Sequence, residues 1–164
     1  MRALRVALAV AVLGTATVTG LSVSGSSTSE QEIPRAELAR VRNATAKYHD
    51  LDQATADGYE LLDACFEDEA NDAGMGYHYW KGQDDYLLDP LAPEALVYEP
   101  TDHGLELVAV EYIVPISVGE PPMVLGQHMH QPPGLPFYVL HAWIWKPNPN
   151  GMFDDYNPNV NLCG

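Results

Sequence analysis

The chain has 164 residues and a formal charge of -15, from 23 Asp and Glu against 8 Lys and Arg. Beyond Lys47 its basic residues are Lys81 and Lys146 alone. A phosphate backbone or an anionic lipid surface needs cations to neutralise it, so nucleic acid and acidic membranes are excluded as partners. A metal ion, a basic partner or a small neutral ligand fits this charge.

Met1, Arg2 and Arg5 precede an apolar run from Val6 to about Leu13, followed by small, weakly polar residues. This pattern predicts a secretory signal peptide over residues 1-25, cut somewhere between Gly20 and Ser29. An uncleaved anchor is the alternative, but the run is shorter than the roughly 20 apolar residues that span a bilayer. Once the signal is removed, no membrane association is expected. Residues 26-32 read as a flexible Ser/Thr tether, and residues 33-164 have the length of one domain.

Pro34 suits the first turn of a helix. Leu38, Val41, Thr45, Tyr48, Leu51 and Thr55 recur in steps of three and four, which predicts an amphipathic N-terminal helix ending at Gly58. The acidic stretch from Glu60 to Gly74 shows no periodicity and reads as irregular. Strands are predicted at Gly76–Trp80, Ala95–Glu99, Leu105–Val114, Val124–His130 and Phe137–Trp145, from their β-branched and aromatic residues. The tail from Lys146 to Gly164 is dense in Pro, Asn and Gly and reads as a loop. A helix followed by closely spaced strands predicts an α+β fold, with the helix packed on an antiparallel sheet or small open barrel.

The two cysteines, Cys65 and Cys163, predict a disulfide in an exported chain, with a thiolate metal site or redox pair as the alternative. The bridge would close a loop of roughly a hundred residues, worth about 4–5 kcal/mol by chain entropy. It would also hold down a tail that otherwise frays.

Several segments carry a resemblance. They are Met75-Gly76-Tyr77-His78-Tyr79, Leu88-Asp89-Pro90-Leu91 with Pro93 to Glu99, Val110-Glu111-Tyr112, and Leu140 to Lys146 with Asn148-Pro149 and Gly151-Met152-Phe153. Together they resemble a family of exported bacterial proteins of uncharacterised activity. The resemblance implies a secreted single domain and draws attention to His78, Glu111 and His141 without giving them roles.

Covalent catalysis has few candidates. Ser117 is the one serine beyond the tether and lies outside any nucleophile elbow. No P-loop, dinucleotide fingerprint or haem-attachment motif occurs. Histidines on strands are the remaining signal. His128 and His130 fall on one face of an extended segment, with Cα atoms about 6.5 Å apart. His141 lies on the next strand and can approach them. Glu111 alternates with Leu107, Ala109 and Ile113 onto an apolar face, where a carboxylate is costly unless paired or metal-bound. Lys146, Lys81 and tyrosine hydroxyls are its alternative partners.

Imidazoles with one carboxylate suit a transition metal, here copper or zinc. The expected ligands are His128, His130 and His141, completed by His78 or Glu111. Met75, Met123 and Met129 are candidate soft ligands, although alternation points Met129 away from its histidine neighbours. His49 and His103 read as surface residues, and the acidic loops lack the ligand spacing of a calcium-binding hand. Two other readings stay open. One is a metal-free binding module with a cleft lined by Tyr77, Tyr79, Trp80, Tyr98, Tyr112, Trp143 and Trp145. The other is a His/Glu-dependent enzyme with Glu111 as general base, which requires Glu111 and His141 to share a pocket.

Overall fold

A computed structural model describes residues 35–82 and 87–163. The expected signal peptide, the tether and Pro34 lie outside the described residues. Among those residues, no helix is long and apolar enough to cross a membrane.

The predicted helical stripe is present but broken. Helix α1 spans Arg35–Thr45, a single 3-10 turn follows at Ala46–His49, and α2 spans Leu51–Ala56. The break falls at Asp50, whose side chain accepts a hydrogen bond from the backbone N–H of Asp52 and so caps α2. Leu38, Val41, Thr45 and Tyr48 are buried as the periodicity requires. After the break the phase shifts by one residue, and Ala54 is buried in place of Thr55. Gly58, at φ 94°, turns the chain out of the helix in a conformation that a side chain disfavours.

Seven strands follow: β1 (Glu60–Asp68), β2 (Ala73–Trp80), β3 (Ala95–Thr101), β4 (Gly104–Pro115), β5 (Met123–Val124), β6 (Gln127–His128) and β7 (Phe137–Ala142). Five form an antiparallel sheet in the order β1-β2-β3-β4-β7, and β5 and β6 pair with each other. The stretch after Glu60, expected to be irregular, is thus an edge strand. Its pairing with β2 shifts register between Leu61 and Cys65 and again at Phe66, and such bulges interrupt the alternation that sequence reading depends on. The predicted strand Val124–His130 is instead a tight hairpin. Leu125 and Gly126 both have positive φ at its turn, the geometry of a type I′ loop. His130 then bridges to Val139 on the outer edge of β7.

The sheet has two differently used faces. Tyr79, Leu96, Tyr98, Leu107, Val110, Tyr112, Val114, Leu140 and Ala142 point toward the helices and form the main core with Leu38, Val41 and Tyr48. Each such fully buried aliphatic side chain contributes about 1.5–3 kcal/mol. The Tyr98 hydroxyl donates to the Tyr48 carbonyl at 2.7 Å, fastening the helical segment to β3.

A bulge in β4 decides what the other face carries. Tyr98 pairs with Leu107, while Val97 pairs with Ala109, so Val108 has no partner on β3. The extra residue inverts the alternation. Leu107 therefore packs toward the helices, whereas Ala109 and Glu111 face the opposite side; the simple alternation that grouped Leu107 with Glu111 fails here. The Val108 carbonyl, freed from the ladder, accepts from the backbone N–H groups of Trp145 and Lys146.

The tail serves both faces: Ile144, Trp145, Met152 and Phe153 pack with the main core, while Trp143 and Val160 join the buried cluster on the second face. Asn157 and Gly74 exchange backbone hydrogen bonds. Lys146 donates to both oxygens of the buried Glu99 at 2.6 Å, and the Asn161 N–H reaches the same carboxylate. Cys65 and Cys163 are disulfide-bonded, as expected. That bond is consistent with an oxidising, extracytoplasmic compartment.

Candidate metal centre

Three strands deliver one side chain each to the same spot. His78 comes from β2, Glu111 from β4 and His141 from β7, and one ligand atom of each lies within 4.8 Å of the others. Register explains the convergence. Glu111 stands directly across from His141, and Ala95 directly across from Glu111. His78 pairs with Val97, one step along the same face. The small side chain of Ala95 lets His78 reach over β3 toward Glu111.

The donor atoms form a compact triangle. His78 Nε2 lies 3.2 Å from His141 Nε2 and 3.3 Å from Glu111 Oε2, and His141 Nε2 lies 3.7 Å from Glu111 Oε1. Ligands bound tetrahedrally at about 2.0–2.1 Å sit roughly 3.3 Å apart. The two contacts of His78 Nε2 match that spacing, while His141 faces the other oxygen of the Glu111 carboxylate at 3.7 Å. All three residues are at most 5% exposed. Their rings are held by neighbours: His78 meets Phe66 edge-on at 5.1 Å, and His141 stacks near Trp143 at 6.0 Å.

Asp155, from the tail, supports the site from behind. Its Oδ1 lies 3.4 Å from His141 Nδ1, and neither atom has another hydrogen-bond partner. A carboxylate behind the far nitrogen of a ligating imidazole fixes its tautomer and raises its basicity. The second oxygen of Asp155 contacts His130 Nε2 at 2.9 Å. Burial pushes the His78 pKa down, against the opposing pull of Glu111. Burial acts on His141 in the same sense, but Glu111 and Asp155 together outweigh it and raise its pKa. Asp155 is held below the usual carboxylate range because its two histidines outweigh its own burial. Without a metal, one proton between the two Nε2 atoms satisfies both of those atoms, while His78 Nδ1 is buried without a hydrogen-bond partner. With a metal, both lone pairs turn to the cation.

The triangle opens into a cavity of about 560 Å³ on the second face of the sheet. Its walls are chiefly apolar, among them Phe66, Met75, Trp80, Ile113, Phe137 and Val139.

The histidines of the hairpin are placed differently from the expectation. Met129 is buried in the core, which turns His128 and His130 outward together, and both are exposed. His128 sits in β6 opposite Met123. His130 reaches the site indirectly, through Asp155. The group of three therefore comprises His141 with both expected completing residues, His78 and Glu111, and contains neither His128 nor His130. Of the three methionines, Met75 alone lines the cavity.

The aromatic cleft also differs. Tyr79, Tyr98 and Tyr112 lie in the main core, Tyr77 and Trp145 pack against it, and Trp143 belongs to a second buried cluster. Of the expected cleft aromatics, Trp80 lines the cavity. His49 and His103 are exposed, as expected. Asp155 was missed as a site residue, because an acidic pair in a Pro/Asn-rich loop carries no local sign that it folds over a strand. Comparison with protein-family models, curated proteins and solved structures returns no match.

Proposed function

We propose that the protein is a secreted metal-binding protein that holds one zinc or copper ion with His78, His141 and Glu111. The observation that carries this reading is the buried cluster of His78, Glu111 and His141, one ligand atom of each lying within 4.8 Å of the others. Two imidazoles and a carboxylate are a common zinc set, and three protein ligands leave a coordination position open. Asp155 behind His141 supports it, because the imidazole then presents Nε2 to the ion. Met75 in the cavity wall supports the copper alternative. The disulfide and the N-terminal sequence pattern support export, in keeping with the resemblance to exported bacterial proteins.

The test is elemental analysis of purified protein, stripped, recharged with zinc or copper and dialysed. One ion per chain is expected. His141→Ala and Glu111→Gln should each lose it, with folding checked by circular dichroism, while His128→Ala should keep it. A wild-type protein holding clearly less than one ion per chain overturns the reading.

Glu111 and His141 opening into one cavity also supports a second reading, a His/Glu-dependent enzyme in which Glu111 acts as general base. Turnover that survives metal removal but is abolished by Glu111→Gln would favour it over the metal site.

A further inference from the structure

The cavity above the donor triangle has one polar pole and an otherwise apolar lining. The pole is His78, Glu111 and His141, with Asp155 beside it. The walls are Phe66, Ile113, Phe137 and Val139, and Trp80 meets Phe137 edge-on at 5.5 Å. Its volume, about 560 Å³, lies in the range of small-molecule sites, roughly 300–1,000 Å³. A site that held only a structural ion would close around it, whereas this one leaves space next to the ligands.

The rim is unusual for an acidic protein. Leu62, Phe66 and Leu135 line the cavity and are 41%, 38% and 49% exposed. They come from two separate segments, β1 and the loop before β7. Exposed apolar groups converging on one opening mark a place where an apolar surface is covered by a ligand.

Charge defines the other end of that ligand. A divalent ion bound by two neutral imidazoles and Glu111 keeps one uncompensated positive charge among its own ligands, and the Asp155 carboxylate stands behind His141, a full imidazole ring farther from the ion. One anionic oxygen in the open position completes the coordination and neutralises the centre. We infer that the protein binds an apolar organic acid, with its carboxylate on the metal and its hydrocarbon or aromatic body filling the cavity between β1 and the Pro132–Pro133 loop. This rests on the metal-binding reading and adds its ligand class. The net charge of -15 gives no long-range attraction to an anion, so recognition is short-range, by the ion and the apolar walls.

The probe is 2-naphthoate, with acetate as a head group lacking the body and 2-naphthalenemethanol as the body lacking the charge. Each is titrated into zinc-loaded and metal-free full-length protein by calorimetry. Cobalt-loaded protein is followed by its visible absorption, which reports a new oxygen on the ion. Naphthoate should bind the zinc form about tenfold or more tighter than either control and about tenfold tighter than it binds the metal-free form. It should also shift the cobalt bands. Leu135→Asp, on the exposed rim, should keep one metal ion per chain yet weaken naphthoate about tenfold.

Stoichiometric metal without naphthoate binding overturns this inference and leaves the metal site standing. Equal naphthoate affinity with and without metal, or unshifted cobalt bands, overturns the carboxylate-on-metal arrangement. A protein that takes up no metal overturns both readings.

Discussion

Glu111 of β4 and His141 of β7 are direct cross-strand partners, and both side chains are buried on the sheet face turned away from the helices. Antiparallel register, rather than proximity in sequence, makes this pair. His78 joins it from two strands away because Ala95 lies between them.

The support from Asp155 is separable from the ligands. Asp155→Asn keeps the shape but removes the charge facing His141 Nδ1 and His130 Nε2. Metal affinity should fall about 10- to 100-fold, with stoichiometry still reaching one ion at saturation. Competition against a chromogenic chelator measures it. An unchanged affinity would show that Asp155 does not act on the ion through His141.

Metal binding should release a proton. Glu111 and Asp155 raise the His141 pKa above its ordinary 6.5, so the metal-free imidazole stays cationic past that pH. The ion must displace this proton. Apparent affinity should rise with pH through the raised value and then level off. Calorimetry in buffers of different ionisation enthalpy counts the protons released. For the metal-free fold the sign is opposite. The stability from charged His141 is complete below the unfolded value and is lost as pH rises through the folded one.

Glu94 gives a second pH effect, set by its burial with the Glu111 charge adding to it. Burial pushes its pKa from 4.5 up to about 7, although its Oε2 accepts from the Ile113 N–H. The folded state therefore holds this proton where the unfolded state has lost it. Its contribution is complete below pH 4.5 and is lost as pH rises through about 7. At about 1.4 kcal/mol per pKa unit, the loss is on the order of 3–4 kcal/mol. Glu94→Gln keeps the acceptor and cannot ionise. Urea melts at several pH values should show a flatter stability profile in the variant than in the wild type.

Gly76 is a local test of how β2 aims His78. A Cβ at this position would overlap the Tyr98 carbonyl oxygen on β3, and the backbone has φ 97°. Gly76→Ala should cost more than about 1 kcal/mol, since both the contact and the dihedral oppose it. The displacement of β2 should also weaken metal binding, because His78 is two residues along the strand. Thermal melts with and without zinc separate the two effects.

The disulfide ties the end of the tail to β1, with the Cys163 N–H also donating to Glu67. Replacing both cysteines by serine should lower stability by about 2–5 kcal/mol. Lys146, Asn157 and Asn161 hold the tail independently, so metal binding should persist in the folded variant. Denaturant melts and metal titration of the same protein check this.

The amino-acid sequence determined much of this protein through local rules. Steps of three and four marked the helical face of Leu38, Val41 and Tyr48. β-branched and aromatic runs marked β2, β3, β4 and β7. Two cysteines allowed one intramolecular pairing. A carboxylate at Glu111, among apolar neighbours, was identifiable as a group in need of a partner.

Which groups partner it was decided by the tertiary structure. Alternation shows that His128 and His130 share a face, but not which face the core will claim. Burial of Met129 turned both histidines outward. The bulge at Val108 inverted the parity of β4, and the register of three strands carried His78 and His141 to Glu111. Asp155 arrived from a tail whose path depends on hydrogen bonds to β2, β3 and the freed Val108 carbonyl. These are long-range pairings, set by which elements are adjacent once the core has formed, and no local periodicity encodes them.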